Sequence, residues 1–478
     1  MAQPKLEFLT AEEVESIHLT SLKILEETGV IFPVKEALGV FHERGAKVNH
    51  ETGLVKIPPD IVEEAIAKAP SGVTLFARDP KYDVPVQKDT VTFGTIGNAT
   101  HVLDLETGER RRATNRDLAD ITRVIDACQN ILHLEPQVTP QDVPKEASYQ
   151  YSWATTLKNT VKHVRLSAHG KDGVQDGIKM GSAIAGGQQA LKTKPFISFM
   201  ALIPSPLAHD PTVCEGFMEA ARLGFPIWFE SGPVAGASAP VTLAGALALN
   251  NAEVLSGIVL AQLVRPGTPV IYGSFLRIMD MRTGNVSISS PEFCIFRPCI
   301  ASLARYYKMP SWAGVMLNDA KIIDCQAGYE KALSALMSAL GGVNLLCGMQ
   351  LDNEHIVSAE DMVVNDEIVG AVLRILRGFD VNKETLALEV IDEIGPRGVF
   401  LRSRHTMDHY RRELWSPSIT ERSTWTEWKA KGEPDMWKVA REKTKKILKT
   451  HEREPLSHQV ASELDAIARQ AAKRLVKT

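Results

Sequence analysis

Between Gly224 and Phe275 the chain reads Gly-Phe-Pro-Ile-Trp-Phe-Glu-Ser, then a Gly/Pro/Ser-rich loop. A long Ala/Leu stretch from Leu243 to Leu263 follows, and then Pro-Gly-Thr-Pro-Val-Ile-Tyr-Gly-Ser-Phe. This is a short apolar strand, a loop, a helix and a second apolar strand. Strands without polar alternation belong to parallel sheets whose two faces are both covered. In such sheets the loops after the strands build the ligand site. Here those positions carry Trp228, Phe229, Glu230, Tyr272 and Phe275.

The same unit recurs along the chain. Apolar strands are predicted over Val91–Ile96, Ile131–Val138, His163–Ala168, Phe196–Ile203, Pro226–Phe229, Pro269–Tyr272, Trp312–Leu317 and Val343–Met349. The intervening helices are predicted over Asn115–Ala127, Ser148–Asn159, Val174–Ala185, Pro211–Leu223, Leu243–Val264, Phe293–Tyr306, Asp324–Leu340 and Ala359–Arg377. Eight β-α units in one run predict an α/β fold of the (β/α)8 TIM-barrel type over residues 91–381. An open dinucleotide-binding sheet would need Gly-x-Gly-x-x-Gly after an early strand, and Phe93-Gly94-Thr95-Ile96-Gly97 lacks the third glycine.

Residues 1–90 read as an N-terminal α+β cap. Thr10 and Glu13 form a capping box before a helix running to about Glu27. Further helices follow Pro33 and Pro58-Pro59, with hairpin strands over Ala46–Ile57 and Val73–Val84. Residues 382–478 read as a helical C-terminal extension whose Trp415, Trp425, Trp428 and Trp437 pack on the barrel. The apolar helices and this tail predict a homo-oligomer.

A net charge of −4 offers no electrostatic case for binding nucleic acid or an anionic membrane. The lysines near the C-terminus alternate with Glu442, Glu452 and Glu454, which makes a solvated helix face. Leu243–Leu263 is interrupted by Asn250, Asn251 and Glu253, against a membrane span. Six scattered cysteines without a CxxC pair, and a Met-Ala-Gln-Pro-Lys start without a signal-peptide pattern, predict a reducing cytoplasm. Cys294 and Cys299 have no His or Cys at ligand spacing, so no tightly bound metal is predicted.

On the C-terminal face of a barrel, the strand ends present Asn98, Gln137, His169 with Lys171, Ser205 with His209, Glu230 and Ser231. They continue with Phe275 and Arg277, Asn318 and Asp319, and then Gln350, Asp352 and His355. The set is polar yet poor in nucleophile–base pairs, with no Gly-x-Ser-x-Gly elbow, HExxH or Walker loop. His209, before Asp210-Pro211 at a helix start, reads as structural, whereas His169 reads equally as a ligand or a loop residue. Glu230 beside Trp228 and Phe229 is more pointed, because a carboxylate among aromatic rings suits a quaternary ammonium. Strand alternation allows only one of Trp228 and Phe229 to face the lumen. Glu292 and Glu330 sit within helices and read as loop-orienting residues.

Several further runs are shared with a known family. They are Pro240-Val241-Thr242-Leu243-Ala244-Gly245-Ala246, Asn251-Ala252-Glu253-Val254-Leu255 and Pro266-Gly267-Thr268-Pro269-Val270-Ile271-Tyr272-Gly273. Ser290-Pro291-Glu292, Asp319-Ala320-Lys321, Asp324-Cys325-Gln326-Ala327-Gly328-Tyr329-Glu330 and His405-Thr406 follow in the same order. Over nearly its whole length the chain thereby resembles the trimethylamine methyltransferase superfamily. The trimethylamine-specific members contain pyrrolysine; this sequence has none and resembles the pyrrolysine-free branch.

The resemblance implies methyl transfer from a quaternary amine to the Co(I) corrinoid (cobalamin) of a partner protein. Glycine betaine is the first expected donor, with proline betaine and carnitine as alternatives. A non-catalytic betaine-binding protein on the same barrel is a further alternative, and a barrel lyase or hydrolase would need a metal or a general base. A quaternary ammonium leaves as a neutral amine, so positioning matters more than proton transfer. Strand-end position then gives Glu230, Asp319 and His355 as candidate catalytic residues, with His355 facing the corrinoid. Trp228, Phe229 and Phe275 would surround the cation, Arg277 or Lys171 would bind a carboxylate, and Asn318 and Gln350 would line the floor.

Overall fold

The computed structural model, which describes residues 5–87, 89–452 and 454–476, closes eight parallel strands into a barrel in sequence order. The leader reading therefore falls largely on Met1–Pro4, outside the described residues. The strands are β1 (Thr92–Thr95), β2 (Ile131–Leu134), β3 (His163–Ser167), β4 (Ile197–Ile203), β5 (Ile227–Ser231), β6 (Val270–Ser274), β7 (Ser311–Val315) and β8 (Leu345–Gly348). The helices that follow them are α1 (Asn115–Ala127), α2 (Ser148–Asn159), α3 (Lys171–Ala185), α4 (Pro211–Leu223), α5 (Leu243–Val264), α6 (Pro291–Tyr306), α7 (Cys325–Leu340) and α8 (Ala359–Arg377). The predicted α/β TIM-barrel class is the observed one, and the strand boundaries shift by a few residues because pairing, not apolarity, ends a strand.

Side chains alternate as the pleat demands. On β5, Phe229 packs outward in the helix layer while Trp228 joins an inner cluster with Ile271, Trp312, Leu345 and Cys347. That inner cluster is closed from below by Leu75, Val84 and Val86 of the hairpin Val73–Leu75/Val84–Val86. One end of the lumen is thus plugged, and the other remains for chemistry.

The N-terminal helices Ala11–Lys23, Lys35–Glu43 and Pro59–Lys68 pack on α5. Thr10 and Glu13 complete the capping box of the first, which ends at Lys23 in α form and continues as a wider turn to Thr28. Because α5 meets β-strands on one side and these helices on the other, it is apolar all round. It is long and apolar enough to cross a membrane, yet 83% of that stretch is buried in this fold. Its polar interruptions bond their neighbours: Asn250 Oδ1 accepts from Ser274, Asn251 bonds Tyr272, Tyr307 and Ser21, and Glu253 accepts from Ser205, Ser231 and the Leu207 amide.

In the C-terminal extension, Met436–Thr450 packs on α1 and α8, and His458–Leu475 on α2 and α3. Trp415 lies beside Gly370 of α8, and Trp437 lines a cleft against α7 and α8. Trp425 departs from the predicted packing: it is 69% exposed and stacks on Trp428 at 4.9 Å, since the short helix Trp425–Ala430 buries none of its residues.

Candidate active site

The upper lumen is built around a buried guanidinium. Arg165, on β3, lies 4.7 Å from the ring of Trp228 on β5 and 4.7 Å from that of Trp312 on β7. Its Nη2 donates to Glu135 Oε2 at 2.7 Å, just past the end of β2. Room for the Trp312 indole comes from glycine: a Cβ on Gly273 would meet Trp312 Nε1 at 1.8 Å. Likewise a Cβ on Gly314 would meet Phe275 Cε2 at 2.4 Å.

Below Arg165 a hydrogen-bonded chain fixes the floor. Trp228 Nε1 donates to Ser198 Oγ at 2.8 Å, and Ser198 Oγ lies 2.8 Å from His163 Nε2. His163 Nδ1 reaches the Phe76 carbonyl at 2.8 Å, and a carbonyl only accepts, so Nδ1 carries the proton and Nε2 accepts from Ser198. The imidazole is neutral, and burial pushes its pKa down to about 4.

Toward the mouth, Glu230 faces the same space as Arg165 and is 6% exposed. Burial drives its pKa up to about 8; Arg165 opposes the rise, and Glu135 and Glu354 add to it. Arg277 comes from the small sheet Val234–Ala235/Arg277–Asp280/Asn285–Ser287 that borders the mouth. Its guanidinium lies 5.1 Å from the Phe275 ring and 3.4 Å from Glu354. Burial likewise raises Glu354, to about 7, against the pull of Arg277. Among the described residues, Arg165 Nη1, Arg277 Nε and Glu135 Oε1 are buried polar atoms without a hydrogen-bond partner. On β4, inward alternation from Ser198 and Met200 leads to Leu202, which is 43% exposed and marks the open end.

This arrangement keeps some of the predicted residues and displaces others. Trp228, Glu230, Phe275 and Arg277 converge on the lumen and its mouth. Phe229 does not: it packs at 5.2 Å on Phe217 of α4, because adjacent residues on a strand point to opposite faces. Lys171 begins α3 at the exposed surface. Asp319 accepts from Ser287 Oγ at 2.6 Å, Ser289 Oγ at 3.3 Å and the Ile288 amide, which makes it a clamp on the loop before α6. Glu330 in turn accepts from the Asp319 amide at 2.9 Å, orienting that loop as expected.

Asn318 and Gln350 are fully buried and joined, Asn318 Nδ2 donating to the Gln350 carbonyl at 2.9 Å. Gln350 Nε2 reaches the carbonyls of Ile96, Gly97 and Gln137, tying three strand ends together. His355 is exposed on the C-terminal face, its backbone carbonyl accepting from His101. His209 is structural, bonding Ser256 at 2.9 Å and stacking on Phe32 at 4.2 Å. His169 stacks at 4.7 Å on Tyr149.

Sequence reasoning missed Glu135, Arg165, Trp312 and Glu354. One signal was present: His-Val-Arg-Leu-Ser places an arginine inside an apolar strand, where a charge persists only with a buried partner.

A family model for trimethylamine methyltransferase matches residues 1–474. A glycine betaine methyltransferase of Desulfitobacterium hafniense (strain Y51) is 34% identical over 476 residues, covering 99% of this chain and 98% of the relative. A trimethylamine methyltransferase of Desulfitobacterium hafniense (strain DSM 10664 / DCB-2) is 36% identical over 457 residues, covering 95% and 92%. The solved structure of the Methanosarcina barkeri monomethylamine methyltransferase shares the fold, with a TM-score of 0.52 at 12% identity over 98% of this chain and 95% of that one.

Proposed function

The chain belongs to the trimethylamine methyltransferase family, and we propose that it moves a methyl group from glycine betaine to the Co(I) corrinoid of a partner protein. The observation that carries the choice of donor is the pairing of opposite demands in one lumen. Glu230 and Phe275 suit a quaternary ammonium, while the unpartnered Nη1 of Arg165 and Nε of Arg277 suit a carboxylate. A simple amine would answer only the first demand and leave buried guanidinium protons unmatched. A betaine answers both. The glycine betaine methyltransferase among the relatives supports the same reading.

The chain's own residues position and do not transfer protons. Glu230 and the Phe275 face hold the ammonium, and the guanidinium groups hold the carboxylate, so one N-methyl group is directed to the open end at Leu202. That open end leaves room for the approach of a flat macrocycle, whose reduced cobalt would supply the nucleophile once the partner is docked. The C–N bond breaks with its electron pair remaining on nitrogen, and the amine leaves neutral. No general acid is required, in keeping with a neutral, buried His163 and the absence of a nucleophile–base pair among the residues named above. Ser198, Trp228 and His163 keep the floor rigid, and Asp319 holds the loop beside the mouth. A reducing cytoplasm, with all six cysteines free, belongs to the same proposal.

The test is spectroscopic. Free cobalamin is reduced to Co(I), the protein is added, and glycine betaine, proline betaine, carnitine, choline and trimethylamine are each screened for methylcobalamin. Formation with glycine betaine supports the proposal. A response confined to choline or trimethylamine would remove the carboxylate-binding role of the arginines, and silence across the panel with a cognate corrinoid protein would remove the activity.

A further inference from the structure

Two guanidinium groups reach the lumen and its mouth, and each already faces an internal carboxylate. Arg165 holds Glu135 at 2.7 Å, and Arg277 holds Glu354 at 3.4 Å. Glu230 is the carboxylate left for an ammonium group. A betaine brings one more carboxylate into this space, so an internal carboxylate has to give up its arginine.

The two pairs are unequal. Arg165 and Glu135 are buried, and their separation is that of a charge-assisted hydrogen bond. The Arg277 and Glu354 side chains are 26% and 27% exposed, and 3.4 Å is longer than such bonds run. A long, partly solvated contact contributes little and breaks readily. Glu354, once released, has water to turn to, whereas Glu135 has none.

The backbone of Glu354 is shaped to present it. Leu351 and Ile356 pair across a four-residue turn just after β8. Within this turn Asp352, Asn353 and Glu354 have φ of 50°, 52° and 72°. The left-handed region strains a side chain such as glutamate, and residues persist there only where their surroundings fix them. The Asp352 amide donates to the Ala320 carbonyl at 2.8 Å, and the Asn353 amide to the Asn318 carbonyl at 3.0 Å. Asn353 Nδ2 donates to the Val286 carbonyl at 3.2 Å. The turn is thus anchored through its first two residues, while the third accepts from Arg277 Nη1. The charge of Glu354 also reaches the cation site, where it raises the pKa of Glu230 and Arg277 lowers it.

We propose that Glu354 is the resident counter-ion of Arg277 and yields it to the carboxylate of the substrate, which makes Glu354 a specificity-determining residue. This inference rests on the betaine reading above. With a betaine bound, the substrate's carboxylate takes Arg277 and the Glu354 side chain turns to water. With a cation that lacks a carboxylate, Glu354 stays on Arg277 and its charge adds to that of Glu230. The two ligand classes therefore feel Glu354 with opposite sign.

The test is titration calorimetry of the full chain with glycine betaine and with choline, which needs no corrinoid partner. Glu354→Gln keeps the size of the side chain and removes its charge. It is expected to bind glycine betaine ~3–5-fold more tightly and choline ~3–5-fold more weakly. Glu354→Asp keeps the charge but is too short for the contact with Arg277. It should tighten glycine betaine and leave choline as in the parent. Weaker binding of both ligands by Glu354→Gln, the mark of a merely structural role, overturns the proposal, and so do unchanged constants for both. In either case a parent chain that binds glycine betaine keeps the betaine reading. A parent and variants that bind choline but no glycine betaine remove that reading and this one with it.

Discussion

Arg165 and Glu135 form an ion pair of 2.7 Å inside the barrel, with side chains only 2% and 3% exposed. Removing one partner leaves the other charge buried without compensation, which costs about 3–5 kcal/mol. Arg165→Met is therefore expected to lower the urea stability by that amount, and Arg165→Met with Glu135→Met to recover most of it. Neither variant should transfer methyl groups, since the guanidinium between Trp228 and Trp312 is gone in both. Full stability in the single variant would refute this account.

If Glu230 holds the cation as proposed, substrate affinity should depend on pH. Its pKa is about 8 when the lumen holds no cation, so at lower pH the carboxyl is mostly protonated. A quaternary ammonium binds the ionised form, so kcat/KM should climb with pH by up to about tenfold per unit and level off above about pH 8. Glu230→Gln should flatten the profile and raise KM about 10–100-fold at the plateau. A flat profile in the parent protein would exclude the carboxylate from the cation site.

Folding stability should run the other way. Glu230, Glu253 and Glu354 have folded pKa values of about 8, 7 and 7, above the ordinary 4.5. The folded chain therefore holds more protons than the unfolded chain between roughly pH 4.5 and pH 8. Their contribution is present in full below that window, is lost as pH rises through it, and then stays constant. Denaturation midpoints measured from about pH 5 to about pH 9 check the sign, and Glu253→Gln should reduce the slope.

Phe229 and Phe275 should separate stability from binding. Phe229→Ala opens a cavity beneath α4 and α5 and should cost about 3–5 kcal/mol with KM unchanged in the folded protein. Phe275→Ala removes the ring proposed to face the cation and should raise KM about tenfold. The reverse assignment of the two effects would mean that β5 and β6 present opposite faces to those described here.

The barrel itself was legible because its determinants are local. Two-sided burial makes a strand apolar at every position, and a helix covered on all sides is apolar all round, so β5, α5 and β6 announced themselves by composition. Glu230 was legible for the same reason, as a charge at the end of such a run. What only the tertiary structure decided were the relations between strands. Whether Trp228 or Phe229 faces inward depends on the register of β5 against β4 and β6, and a one-residue slip exchanges them. The partnership of Arg165 with Glu135, the indoles that enclose it, and the glycine that admits the Trp312 indole come from five different strands or strand ends. No local pattern encodes their distance, because it is set only when the barrel closes.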